Sequence, residues 1–494
     1  MVSRKRKLCT FVTVSQKMTL SHFFKIRKYN FINKSKESTM SFDARRSFRI
    51  FGVLFSVFLI GCLSIQAQTP ITLEKALELS VLQNKSIESA LLGIKKSDAT
   101  VKEAYSNTLP SVTVSGSYNY NVMLPVFFLP SEFAGQAPGG FVAVSAGAPN
   151  GFNTTAQVTQ ILFNAAVFKA ISASERYSQI SIEQYKATVS KSLLATEKAF
   201  YGALLAKEFY EVTKASLANG EANLDNVRIF LKQGLVAEFD EMRASVGVEN
   251  IRPIVIQAEA TKLTAYNGLK LAMGKDIKED ISVEGTLDYT PEKLPSEQEM
   301  YDMVINSNYD LKSLEMQMNV SKDMVALKET EYYPTVAAFA NYQYLGAGNN
   351  LGSMNTAQSS AVGIQVQMSL FNGFGTQARV QQAEIDAKTL ASQQELLRQS
   401  LLLQSNSLLL QIRSAEQRIL GQQKNVEQAE RAYEISNIRY KSGLGSQIEI
   451  SDSDVALRQA RLNKVQAIHD YKVAVAELKV LIGSVNPRYF EYKK

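Results

Sequence analysis

Apolar residues along this chain follow two periods, and they do so twice. Near residue 110 the pattern is strict alternation: Val112, Val114, Gly116, Tyr118, Tyr120 and Val122 share a face, with Ser111, Thr113, Ser115, Ser117, Asn119 and Asn121 opposite. The same alternation returns at Val336, Ala338, Ala340, Tyr342 and Tyr344. It returns again at Val362, Ile364, Val366, Met368 and Leu370, interleaved with Gln365, Gln367 and Ser369. A weaker fourth run is AQVTQILF at 156–163. Period-two alternation predicts four strands, each with an apolar and a polar face.

After each pair of strands the period changes. Proline is absent from 150 to 252 and from 335 to 486. The stretch from Ala165 to Leu231, taken as one helix, extends ~100 Å at about 1.5 Å per residue. A helix of that length requires a partner to pack against. The heptads supply the seam: Ile412, Ile419, Val426, Tyr433 and Tyr440 lie seven apart, as do Ala203, Tyr210, Leu217, Leu224 and Leu231. Three residues beyond these sit mostly small side chains, including Ala206, Thr213 and Gly220, and Ala415, Ala429 and Ser436, which permit close approach. The same periodicity also describes an ordinary buried helix stripe.

The two halves match motif for motif. LFN stands at 162–164 and, 208 residues on, at 370–372. KQGL at 232–235 and KSGL at 441–444 are 209 apart, as are the glycines closing LAMG (271–274) and VLIG (480–483). The strand-opening prolines Pro110 and Pro334 differ by 224, so only the loop between strands has changed length. The expected organisation is a leader at 1–67, a first structural repeat at 68–283 and a second at 284–494. Pro253 has no counterpart in the second repeat and is expected to kink or break its helix. Loops rich in Pro, Gly, Ala and Phe at 123–154, and in Gly, Asn and Ser at 345–360, join the strands.

Charge changes the picture only once it is divided. The chain is formally +7, but residues 1–49 carry 13 Lys/Arg and 2 Asp/Glu (+11), leaving 41 and 45 (−4) for the rest. The basic balance belongs to the leader and gives no ground for a nucleic-acid partner. From Met40, itself a candidate start, the sequence MSFDARRSFRIFGVLFSVFLIGCLSIQAQ has the basic, apolar and small-residue regions of a secretory signal peptide, with cleavage expected near Ala67. Leu59-Ile60-Gly61-Cys62 also has the form of a lipobox, so Cys62 is a candidate lipid-attachment site. The only cysteines are Cys9 and Cys62 and the only histidine beyond the leader is His469, which excludes paired-histidine, Cys–His and thiolate-metal chemistry from the mature chain.

A secretory leader joined to strands of about 10 residues with one apolar face fits a transmembrane β-barrel; a soluble sheet with one wet face shares the alternation. Four strands are too few to close a barrel, since known ones begin at about 8, and open edges cannot face lipid. A barrel reading therefore forces several subunits to share one wall.

The residues resemble the TolC-type outer-membrane efflux channel family over nearly the whole mature chain. The resemblance rests on ITLEKALELSVLQNKSIESALLGIKKSDATVKEAYSNTLPSVTVSGSY, on LFNGFGTQARVQQAE, and on RYKSGLGSQIEISDSDVALRQARLNKVQAIHDYKVAVAELKVLIG. It implies a mainly α fold with a membrane β part. Long antiparallel coiled-coil helices form an α-barrel tunnel, and four strands per protomer contribute to a 12-stranded trimeric barrel. It implies a homotrimer in outer-membrane lipid of a Gram-negative bacterium, meeting a periplasmic adaptor (membrane fusion protein) and an inner-membrane transporter of RND, ABC or MFS type. No enzyme activity or cofactor is implied. The duct serves efflux or type I secretion.

By the same resemblance, Gly234, Leu235, Gly443 and Leu444 are adaptor-docking candidates at the helix-hairpin tips; helix termination alone also accounts for the two glycines. Glu449 and Asp452 share a helix face that lines the tunnel mouth, where three subunits would gather six carboxylates. Ser446 to Glu449 also reads as a capping box, and Asp452 as a solvated residue near a helix start. Tyr440 and Asp240 match participants in the links that hold the mouth shut. The basic partner's position is Gly445, which leaves that link missing or replaced by Arg243. A periplasmic coiled-coil adaptor without a pore is the alternative function, and an envelope hydrolase a further one.

Overall fold

Two hairpins of very long helices and one four-stranded sheet make up most of the chain. The computed structural model describes residues 69–135, 137 and 139–491. The signal peptide, its cleavage point and Cys62 lie outside the described residues. In chain order the first half contains β1 (Thr69–Ile71), α1 (Leu73–Gln83), α2 (Lys85–Ser106), β2 (Ser111–Tyr120), β3 (Val126–Pro130), β4 (Phe141–Ser145), β5 (Asn150–Phe163), α3 (Ala165–Lys232), α4 (Glu238–Met273) and β6 (Ile281–Val283). The second contains α5 (Glu297–Ser307), α6 (Tyr309–Glu329), β7 (Thr335–Gly348), β8 (Asn355–Gln367), α7 (Gly375–Lys441) and α8 (Gln447–Leu481).

The sheet runs β2-β5-β7-β8, antiparallel throughout. Its register aligns the two faces that alternation predicts. Val112, Val158, Ala340 and Val362 form one row across all four strands, and Thr113, Gln157, Asn341 and Ala361 form the next. β2 and β8 are its outer strands, and Val112, Val114, Val362, Ile364 and Val366 on them are exposed.

The strand limits differ from expectation at three points. β5 begins at Asn150 rather than 156, because its first residue, though polar, is buried and has its hydrogen bonds met by neighbouring strands and loops. Asn150 accepts from the Tyr118 hydroxyl (2.6 Å) and donates to the Asn349 carbonyl (2.8 Å). β8 ends at Gln367, so Met368 and Leu370 lie beyond it. The segment expected as a loop at 123–154 contains the two-stranded hairpin β3–β4. A parallel pair, β1 with β6, ties the start of the described chain to the end of α4.

α3 spans 68 residues and α7 spans 67. α3 packs along α2 and α6 near the sheet and along α4 beyond; α7 packs along α6 and then α8. The heptad seam holds: Ala203, Leu224, Ile412, Ile419, Val426 and Tyr440 are buried. The densest core lies where both hairpins meet the short helices, around Leu204, Leu269, Met273, Met300, Leu409 and Tyr471. Pro253 does not end its helix, since α4 runs unbroken from Glu238 to Met273. The proline is exposed, so the carbonyl it leaves unpaired meets solvent, while packing on α3 holds the helix on either side. No described helix is long and apolar enough to cross a membrane.

Candidate functional site

The tips of the two long hairpins are built alike. The Gly234 amide donates to Leu231 (2.9 Å) and that of Leu235 to Phe230 (2.9 Å); Gly443 donates to Tyr440 (3.0 Å) and Leu444 to Arg439 (2.9 Å). These are the paired bonds of a Schellman ending, which requires left-handed backbone, and the two glycines have φ of 73° and 72°. The leucines that follow point outward, Leu235 at 68% and Leu444 at 74% exposure. Each tip thus presents a large apolar side chain fixed by a rigid turn.

Asp240 and Glu449 occupy equivalent third positions of α4 and α8 but act differently. Asp240 reaches back to accept the Ala237 amide (3.3 Å). In the second tip the cap is Ser446, whose hydroxyl accepts the Glu449 amide (3.3 Å). Only this half of the expected capping box forms. The Glu449 carboxylate turns to Arg439 at 3.4 Å, and Arg439 also donates to the Leu444 carbonyl (3.1 Å). Arg439 is therefore the basic residue that braces this tip. Arg243 is exposed, lines a neighbouring cleft, and takes part in no ion pair among the described residues. Glu449 and Asp452 are both exposed on one face of α8.

Tyr440 is buried between the hairpins with Leu224, Val227, Ala244, Val248 and Ile450, its ring 5.9 Å from that of Phe230. Its hydroxyl has no hydrogen-bond partner among the described residues. Burial first, and the Asp240 charge second, push its pKa upward. A buried hydroxyl left unpaired costs about 1–3 kcal/mol. The hairpin interface therefore contains a polar group that a small displacement could satisfy.

Asp454 lies off the face that Glu449 and Asp452 share, so helical spacing alone leaves it out of the site. It accepts from the Ser216 hydroxyl (2.6 Å), which in turn accepts from Arg458 (3.1 Å), tying α8 to α3. The i, i+4 spacing of Asp454 and Arg458 was the available signal. Asp454 and Arg458 border a cleft of about 200 Å³ between the hairpins, lined also by Tyr433, Gly220 and Gln447.

Residues 76–275 and 300–484 match the family model described as outer membrane efflux protein. The chain belongs to the outer membrane efflux protein family. It is similar to outer membrane protein TolC of Vibrio cholerae, 20% identical over 391 residues, covering 78% of this chain and 84% of that protein. It is also similar to the alkaline protease secretion protein AprF of Pseudomonas aeruginosa, 20% identical over 333 residues, 67% of this chain and 69% of the other. The fold matches the Campylobacter jejuni CmeC outer membrane channel with TM-score 0.67 at 14% identity, covering 83% and 85% of the two chains.

As a member of this outer membrane efflux protein family, the protein is a channel in the outer membrane of a Gram-negative bacterium, with a periplasmic helical part, and not an enzyme. This sets aside the pore-free adaptor and the envelope hydrolase.

Proposed function

We propose that three copies of this chain close one pore and that the assembly is the passive exit duct of a tripartite pump. The observation that carries the reading is the sheet: four strands with two outer edges and an apolar row, Val112, Val158, Ala340 and Val362, that crosses all four. Three such sheets joined β8 to β2 make a 12-stranded barrel in outer-membrane lipid without a bare edge. The helices support the same count. Leu396, Leu403 and Leu410 lie seven apart on α7 and are exposed in the single chain, a second seam with no partner inside the protomer. Its occupant is the neighbouring subunit, and the helices together form an α-barrel tunnel.

At the far end, Leu235 and Leu444, set by Gly234 and Gly443, dock a periplasmic adaptor. An inner-membrane transporter of RND, ABC or MFS type supplies energy and cargo. Glu449 and Asp452 from three subunits ring the mouth, and Tyr440 with Asp240 belongs to the contact that opens and closes it. The repeats divide at 283/284, and the leader ends at Ala67 or is acylated at Cys62; intact mass of the purified protein separates these. The test of the duct is the purified protein in a planar bilayer with its mass measured in detergent. A trimer with discrete conductance is the expected result, and a monomer without conductance would overturn it.

A further inference from the structure

The β3–β4 hairpin has no place in the duct described so far. It stands in the connection between β2 and β5, at the sheet end away from the helices, and in an outer-membrane protein with a periplasmic helical part that end is the outer one. Its base is pinned: the Asn121 amide donates to Pro149 (2.7 Å) and that of Ala146 to Pro125 (3.0 Å). Its tip is closed on itself, with the Ser131 hydroxyl donating to Ala137 (2.7 Å) and accepting from Gly140 (3.2 Å). Its main packing neighbour is its own single-turn helix, Ser131–Ala134, rather than the four-stranded sheet.

Such a hairpin should carry a polar face, yet neither side has one. Pairing sets Phe127 against Val144 and Leu129 against Val142 on one side, and Phe128 against Ala143 on the other. Phe128 is 71% exposed and Phe133 82%. From Asn121 to Pro149 the only charged residue is Glu132. An isolated two-stranded hairpin is marginal in water, so this one needs a covering medium. A lid over an aqueous pore would keep one wet face. A segment apolar on both sides suits immersion, and its bare strand edges confine it to the boundary zone, where water and headgroups can satisfy them. The apolar face of β2 leads directly to it through the exposed Val122.

The geometry points to the β3–β4 hairpin as an interfacial anchor, folded outward onto the outer leaflet of the membrane that the sheet crosses. The inference rests on the outer-membrane placement of the sheet. Its occupant is a lipid surface, with the aromatic rings at the level where headgroups meet acyl chains.

The chain contains no tryptophan, which makes the test direct. Phe128→Trp and, as a control on the sheet, Val114→Trp are each placed in the full-length protein. The protein is reconstituted in phosphatidylethanolamine–phosphatidylglycerol vesicles containing dibrominated phosphatidylcholine. Both tryptophans are expected to lose most of their emission to the brominated lipid and to resist aqueous iodide. Quenching at Val114→Trp alone overturns the anchor, with iodide quenching then marking a water-exposed loop and resistance to both quenchers marking hairpins packed over the pore. Escape of both positions from the brominated lipid overturns the membrane placement of the sheet and the anchor with it.

Discussion

Asn84 and Asn308 form the same three-way junction, 224 residues apart. Each ends one helix and caps the next: Asn84 Oδ1 accepts the Ser86 amide (2.8 Å), and Asn308 Oδ1 accepts that of Leu311 (3.1 Å). Each then donates its Nδ2 across to the returning long helix, Asn84 to the Ala272 carbonyl (2.8 Å) and Asn308 to that of Leu481 (3.1 Å). One amide side chain thus fixes where the short helix pair meets the end of a hairpin. Because it needs both an acceptor and a donor, serine and aspartate cannot replace it fully.

Asn84→Ser and Asn308→Ser keep the cap and lose the cross-helix bond, and the alanine variants lose both. The alanine variants are expected to cost about 1–3 kcal/mol, with serine intermediate. Thermal midpoints of the purified channel at one scan rate check the order. Equal loss for serine and alanine would leave the caps without a stabilising share.

The four left-handed glycines that end the long helices α3, α4, α7 and α8 divide into two pairs by surroundings. A Cβ on Gly274 would stand 2.4 Å from the Gln83 carbonyl oxygen, and one on Gly483 would stand 2.5 Å from that of Ser307. At Gly234 and Gly443 nothing lies within 4 Å. Gly234→Ala and Gly443→Ala therefore meet only the left-handed backbone cost of about 1–2 kcal/mol. Gly274→Ala and Gly483→Ala must also displace backbone, and the expected outcome is loss of assembled channel, read as trimer yield on a sizing column.

The long helices were legible because a seven-residue period sustained over dozens of positions marks a face that a partner helix covers. Ile412, Ile419 and Val426 are buried where the heptad predicts. The ends of these helices were legible from glycine alone, since Gly234 and Gly443 take a backbone that other residues avoid. What failed to show was structure set by distant partners. Asn150 joins β5 through its pairing with Tyr120 and Gly348, which no local pattern encodes. Phe127 and Phe128 form a strand without alternating, because both of their faces are apolar. The capping box at Ser446 half-formed because Arg439, ten residues back, competes for Glu449.

Glu331, just after α6, accepts a bifurcated hydrogen bond from the Arg379 Nε, at 3.2 and 2.9 Å, and a second bond from Nη2, and anchors the start of α7. Those bonds hold its carboxyl below the usual glutamate range. A folded pKa below the unfolded one, about 4.3, gives stability that is complete above the unfolded value and lost as pH falls through the folded one. The pair is partly exposed, so the expected contribution is under about 1 kcal/mol. The protection factor of amides at the start of α7, taken against the intrinsic exchange rate at each pH, should fall below pH ~4 in the native protein. In Glu331→Gln it should already be lower at neutral pH and lose this acid step.

In the proposed duct, Glu449 and Asp452 differ in how much charge they bring to the tunnel mouth. Arg439 already offsets Glu449, whereas Asp452 forms no ion pair among the described residues. A ring of like carboxylates concentrates cations in proportion to its uncompensated charge. Asp452→Asn is therefore expected to remove most of the block by multivalent cations, and Glu449→Gln a smaller part. Asp452→Ala with Glu449→Ala together should raise single-channel conductance and leakage of antibiotics into cells. Arg439→Ala should strengthen the cation block by freeing Glu449, provided the tip keeps its Schellman turn. Single-channel recordings across a series of trivalent-cation concentrations give the four affinities. Unchanged block and conductance in the double variant would remove both carboxylates from the pore lining.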